Sequence, residues 1–368
     1  MVFQDNQFMK FKYKFLLTVT ALVSITFPAD AHDEWSGARP DGHAPIGVMG
    51  EHYHKKGEWM ASYRYTYMNM GGNRMGNDRL SFSQIAFAGG AGFPVVPLNM
   101  DMQMHMFGVM HAVHDRVTLM GMLPYKNISM DHMISPTPPA PLVAIAGSRF
   151  TTEANGIGDI RLGGLFKLYN QDRHSFHLNA GFSLPTGSIN ETDIVPTPGV
   201  GFAQGLMPYP MQLGSGTVDF LPGLTYLGQT TNWSWGAQTM GTIRLGENHQ
   251  NYSLGNQIEA STWIARRVSE TISSSVRIKS LTWGNIDGAD SRLGTLPVPV
   301  GFGVPTADPN RRGGTRLDLL LGINYYVRKG PLKGHRIAIE GGLPVAQRLE
   351  GPQLETDWMI TVGWQYAW

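Results

Sequence analysis

The chain contains no cysteine, and charged residues make up only 15% of it, with a formal net charge of +1. The first absence excludes disulfides, thiolate nucleophiles and cysteine-ligated zinc. The second leaves no basic face for nucleic acid. Beyond the amino-terminal region there is no run of about 18 uncharged apolar residues, so no transmembrane helix is expected. Glycine is abundant (45), as are tyrosine (13) and tryptophan (9). Those residues suit strands, turns and the aromatic belts of a membrane interface better than helices.

At the amino end, Lys10, Lys12 and Lys14 precede an apolar run from Phe15 to Phe27, which Ala29-Asp30-Ala31 follows. A basic start, a short apolar core and a small-x-small site predict a cleaved secretory signal peptide over 1–31, with His32 as the mature end. Residues 32–56 lack periodicity but carry His32, His43, His52 and His54. They read as a periplasmic lead segment, free either to stay outside or to fold back, ahead of a single domain at 57–368.

The last eleven residues alternate throughout. Trp358, Ile360, Val362, Trp364, Tyr366 and Trp368 share one face, while Met359, Thr361, Gly363 and Gln365 share the other. A period of two is a strand, and one whole face of large apolar groups at a chain end calls for lipid to cover it. Similar segments fall at about 57–69, 100–113, 115–131, 158–169, 174–187, 214–228, 231–245, 254–267, 270–284, 314–328, 335–346 and 355–368. Their connections alternate long and short, as extracellular loops alternate with periplasmic turns. The expected fold is therefore all-β: a transmembrane antiparallel up-and-down barrel of about twelve strands in the outer membrane of a Gram-negative bacterium.

Parity assigns the faces. Val117, Leu119 and Leu123, Ile160, Leu162, Phe166 and Leu168, Phe176, Leu178, Phe182 and Leu184, and Leu317 to Val327 in alternation are expected to meet lipid. The opposite parity carries Arg64, Asp101, Asp159, Arg161, Lys167, Asp219, Arg244, Glu259, Arg277, Lys279, Arg316, Asp318, Arg336, Glu340 and Asp357. A charge at mid-bilayer costs about 2–4 kcal/mol on the lipid side, so this set is expected to line the interior. Arg277, Lys279, Arg316 and Arg336, opposed by Asp318, Glu340 and Asp357, read either as a salt-bridge brace or as a charge filter. Pro124, Pro185, Pro222 and Pro344 each remove a ladder donor and imply bulges or gaps.

Three stretches together resemble a family: Gly156-Ile-Gly-Asp159, Ala180-Gly-Phe-Ser-Leu-Pro-Thr-Gly187, and Gly214-Ser-Gly-Thr-Val-Asp219 with Pro222-Gly223-Leu224 beyond it. They are similar to the outer-membrane transporters grouped with the meta-cleavage pathway of phenol degradation. The resemblance implies a barrel that passes small, often aromatic, molecules.

Fourteen of the 20 methionines lie between Met49 and Met133, interleaved with His52, His54, His105, His111, His114 and His132. Thioether and imidazole donors together favour copper and other soft ions. Met60, Met68 and Met70, His105 and His111, and Met120 and Met122 are expected to converge inside as a metal site; lumenal packing and lipid contact are the competing readings. After cleavage, His32 offers an amine and an imidazole to one Cu(II). No Gly-x-Ser-x-Gly elbow or spaced Ser-His-acid set appears, so a barrel-embedded hydrolase is not expected. Adhesion through loops 188–213 and 285–313 is a third class. The reading that follows is a passive channel for a small solute with no resident cofactor, copper transfer through a Met/His lumen being the alternative.

Overall fold

The computed structural model describes residues 37–87, 90–293 and 303–368. The expected signal peptide and His32 lie outside the described residues. In chain order the strands are β1 (Trp59–Gly76), β2 (Asp78–Leu80), β3 (Val95–His114), β4 (Val117–Ile134), β5 (Arg149–Ile157), β6 (Ile160–Gln171), β7 (His174–Leu184), β8 (Thr192–Thr197) and β9 (Gly201–Leu206). They continue as β10 (Asp219–Phe220), β11 (Gly223–Gln229), β12 (Trp233–Arg244), β13 (Tyr252–Ser253), β14 (Gln257–Arg267), β15 (Ile272–Trp283), β16 (Asp287–Gly288), β17 (Gly314–Tyr326) and β18 (His335–Ala367).

Antiparallel ladders run β1–β3–β4–β6–β7–β11–β12–β14–β15–β17–β18 and return to β1, so the sheet closes. Closure leaves no free edge, which is what a strand assembly needs where water is absent. The 33 residues of β18 form two limbs: the first pairs with β17 as far as Leu349, and the second pairs with β1 from Gln353. The Gln347 amide donates to the Thr356 carbonyl at 2.8 Å and accepts from its N–H at 3.0 Å, which sets the limbs side by side. Ten strands and these two limbs make twelve staves, the number read from the sequence.

One end of the barrel carries the tight turns. Asp172 and Arg173, with φ of 50° and 62°, form a left-handed pair of the kind that matches the twist of a two-residue hairpin. At that same end the first and last strands exchange hydrogen bonds, Trp59 N to Trp368 O and Trp368 N to Trp59 O, each at 2.9 Å. The opposite end carries the long connections, including 185–222 and 284–313. Two of the prolines mark irregularities: Pro222 separates β10 from β11, and Pro344 adjoins the shift where Asp318 pairs with Pro344 but Leu317 with Ala346.

The outer surface is apolar over the whole ring. Leu119, Leu162, Phe182, Leu224, Val276, Leu321, Ile339 and Val362 are all exposed. So many large aliphatic groups in one continuous band exceed the scattered apolar residues of a soluble surface. At the tight-turn rim Trp59, Tyr169, Trp233, Tyr325 and Trp368 are exposed, forming an aromatic girdle. Leu321, 62% exposed, sits mid-strand in this band. Leu321→Arg is expected to destabilise the barrel by about 2–4 kcal/mol in urea unfolding from lipid vesicles. A change below about 0.5 kcal/mol would mean that hydrocarbon does not cover this surface.

Candidate channel lumen

The inside of the barrel holds a loop of the chain itself. Residues 37–56 enter beside the tight turns, where Arg39 donates to the carbonyls of Thr230 at 2.8 Å and Thr231 at 3.2 Å, and leave at the same end, where Gly57 N donates to Ala112 O at 2.8 Å. Between these points inward-facing side chains from around the ring hold its main chain. Ser273 Oγ donates to Pro40 O at 2.7 Å, Arg336 to Ala44 O at 2.5 Å, and Arg64 Nε to Ile46 O at 2.9 Å. Gly47 N donates to Glu340 Oε2 at 2.9 Å, and Gln238 donates to Met49 O at 3.0 Å. The carbonyl of Gly50 accepts from Asn179 at 2.8 Å and stands 3.0 Å from His177 Nε2. A main chain with no ladder of its own can be buried only if side chains satisfy its polar groups, and this loop is supplied from β1, β7, β12, β15 and the first limb of β18.

Glycine permits the closest approaches. A Cβ at Gly47 would overlap the Glu340 carboxylate and the Arg277 guanidinium, and Gly50, at φ 62°, would place one 2.9 Å from Asn179 Nδ2. Ile46 at the tip packs against Gly363, where any side chain on the wall would displace it.

Charged wall residues pair with one another beneath the loop. Arg277 grips Glu340 with two parallel bonds of 2.8 and 2.9 Å, both side chains being nearly fully buried. Asp318 takes Arg316 at 2.9 Å and Lys279 at 3.2 Å. Arg244 pairs with Asp219, which also accepts from Thr217 Oγ1 at 2.6 Å. Arg336 reaches Asn324 at 2.7 Å and lies 3.7 Å from Glu51 of the loop. Arg161 and Glu259 share the inward parity of their strands. Arg277, bidentate on Glu340, and Arg316 and Lys279, which share the buried Asp318, are arranged as a brace would be, whereas Arg336, among the described residues, has for an ion pair only the 3.7 Å approach to Glu51.

Four expectations about facing are corrected. In β3 it is Phe107, Val109 and Val113 that are exposed, so Met100, Met106 and Met110, all buried, face inward while Asp101, His105 and His111 face outward. His111 stacks on Trp59 with ring centroids 4.0 Å apart, His105 Nδ1 lies 2.8 Å from the Tyr63 hydroxyl, and Asp101 accepts from Tyr67 at 2.6 Å. These residues belong to an outer aromatic surface. The fourth correction is Asp357, the unpaired residue of a bulge between Asn69–Trp358 and Met70–Thr356; it is exposed, and Glu355 is the buried acid at that level, paired with Arg74 at 2.6 Å. The expected metal set is therefore divided. Met60, Met68, Met70, Met120 and Met122 stay on the inward side, and His105 and His111 do not join them.

Two features escaped the sequence reading. One is the neutral belt Asn179–Thr225–Gln238, linked at 3.0 and 2.9 Å, which cradles the loop; its only signal was polar residues at inward parity. The other lies on the loop, where the incoming arm brings His43 against Glu51 and His52 of the outgoing arm: His43 Nδ1 is 3.2 Å and His52 Nδ1 2.6 Å from the Glu51 carboxylate. Burial, reinforced by the neighbouring His52, lowers His43 to about 3 and likewise His54 to about 3, so both are neutral at neutral pH. Burial alone would raise Glu51, but His52 and the hydrogen bond from His43 outweigh it and hold the carboxylate well below its ordinary range. Towards the long loops, Met207 and Met211 from the 185–222 connection pack on Met100, Ile128 and Met130.

Glu340→Ala removes the partner of a buried guanidinium and the acceptor for Gly47. It is expected to cost about 3–5 kcal/mol in urea unfolding and to expose residues 37–56 to proteases. Unchanged stability and unchanged cleavage would contradict the pairing.

No family model matches this chain, and no curated protein does. Among solved structures, an outer membrane channel from Pseudomonas putida F1 is similar at a TM-score of 0.54 and 11% identity, over 88% of this chain and 100% of that one. The β domain of the Bordetella autotransporter BrkA gives 0.40 and 9%, over 86% of this chain and 100% of that one. A Pseudomonas aeruginosa FadL homologue gives 0.38 and 11%, over 92% and 94% respectively. What the first of these establishes is a shared fold: this chain is built as a closed barrel similar to that of an outer membrane channel.

Proposed function

We propose that the chain is an outer-membrane channel for passive passage of a small solute, and that the arrangement described is its closed form, shut by residues 37–56. The observation that carries this reading is the way the loop is held. Apart from the bonds to Glu340 and Asp115 and those from Arg39, Arg64 and Arg336, the hydrogen bonds between its main chain and the wall, among the described residues, are made with neutral Ser, Thr, Asn, Gln and His side chains. Such bonds are worth about 0.5–1.5 kcal/mol each once exchange with water is counted, so water entering the lumen can replace them. Among the described residues the wall pair Arg316–Asp318 makes no contact with the loop, and Arg277–Glu340 meets it through the Gly47 N–H alone, so release of the loop requires neither pair to break.

The solute class follows from the other mouth. Met70, Met100, Met102, Met130, Met207 and Met211 make an apolar ledge there. Flexible thioethers adapt to varied apolar shapes and contact aromatic rings favourably. Together with the resemblance of 156–159, 180–187 and 214–219 to the meta-pathway transporters, this favours a small apolar or aromatic solute. The first test is conductance in planar bilayers. Refolded wild type is expected to be nearly silent, and a variant lacking residues 37–54 to show stable open steps, its freed lumenal charges being solvated by water. Equal conductance of the two would contradict the reading.

A further inference from the structure

The two arms of the lead loop bring together donor groups that the channel reading leaves unused. One donor atom each from His43, Glu51 and His52 lies within 4.8 Å of the others. The side chains are 12%, 2% and 4% exposed, so the group is enclosed. The ring of His54 is 4.8 Å from that of His52, and among the described residues Nε2 of His52 and Nε2 of His54 are both buried without a hydrogen-bond partner. A buried imidazole nitrogen left unpaired is costly, and a bound cation is one of the few groups that would satisfy it. The wall beside Glu51 is soft: Met49, Met60, Met110, Met120 and Met122 line the same small cavity.

We infer that His43, Glu51 and His52 form a binding site for a divalent late first-row cation, Cu(II) most strongly and Zn(II) next, with His54 as the adjacent fourth donor. Two imidazoles and a carboxylate are a donor set that such ions accept, and the order of affinity follows the general preference for copper over zinc at nitrogen and oxygen donors. Trans ligands held about 2.0–2.2 Å from a square-planar Cu(II) lie about 4.0–4.4 Å apart, so closing the widest separation takes a few tenths of an ångström, whereas a tetrahedral Zn(II), with ligands about 3.3–3.6 Å apart, takes about 1 Å. Arg336, 3.7 Å from Glu51, is also tied to Ala44 O, Asn324 and Gln365, and remains an outer partner of the carboxylate when the ion binds. All the ligands belong to the loop. The ion therefore clips its incoming arm to its outgoing arm, whether or not the barrel conducts.

The test is metal binding by the chain begun at residue 32, refolded in detergent in a His32→Ala background so that no imidazole stands at the amino end. After gel filtration with CuCl2, the protein is expected to retain one equivalent of Cu(II), with nitrogen hyperfine splitting from imidazole in its electron paramagnetic resonance spectrum. His43→Ala with His52→Ala should weaken binding by more than about 100-fold, while the outward pair His105→Ala with His111→Ala should leave it unchanged. If the double variant does not refold, His43→Asn alone replaces it, because that ring is the most open of the three. Retention below half an equivalent, equal affinity in the His43 variant, or loss in the outward control would each overturn the site.

Discussion

A charged group turned into a narrow barrel has only its neighbours for neutralisation, and this constraint orders the molecule. The exterior must be apolar for the ring to sit in hydrocarbon, so alternation forces polar residues inward. Twelve staves leave little room for bulk water to solvate them. The inner wall answers first with pairs of its own, Arg277–Glu340, Arg316–Asp318–Lys279 and Arg244–Asp219. It then presents its remaining donors and acceptors to the main chain of residues 37–56. Glu340 serves both layers, gripping Arg277 from the wall and accepting Gly47 N from the loop.

The two layers differ in strength, and the proposed opening of the channel rests on that difference. A buried bidentate ion pair is expensive to break, whereas a neutral hydrogen bond to a main-chain carbonyl exchanges with water at small net cost. The barrel is therefore rigid where its charges pair and releasable where neutral side chains hold the loop. The same loop, because it doubles back, sets His43 beside Glu51 and His52; a grouping of that kind depends on the reversal at Pro45 to Val48 and would vanish if the segment were extended.

Much of the wall was legible in the sequence because alternation states the facing directly. In β17 and the second limb of β18 the apolar parity proved to be the outer surface, and strand number and loop rhythm followed. In β3 parity failed for a physical reason. Methionine is apolar and flexible enough to suit either lipid or lumen, so the run Met100 to Met106 does not choose a side, and Asp101, His105 and His111 drew the polar face the wrong way. Phe107, Val109 and Val113 were the better guide. Asp357 was misplaced by a bulge, which shifts parity by one without any mark in the residues themselves. The loop's partners are tertiary: nothing in the spacing of His43, Glu51 and His52 shows that two arms will run together, and Asn179, Thr225 and Gln238 carry no motif.

The central claim is that residues 37–56 occupy the lumen and have their main chain satisfied by the wall. Amide hydrogen exchange of the full chain in lipid nanodiscs measures this directly, peptide by peptide. Peptides spanning 44–54 should exchange nearly as slowly as those of β17. Exchange of that segment at the rate of an unstructured chain, with β17 still protected, would contradict the account.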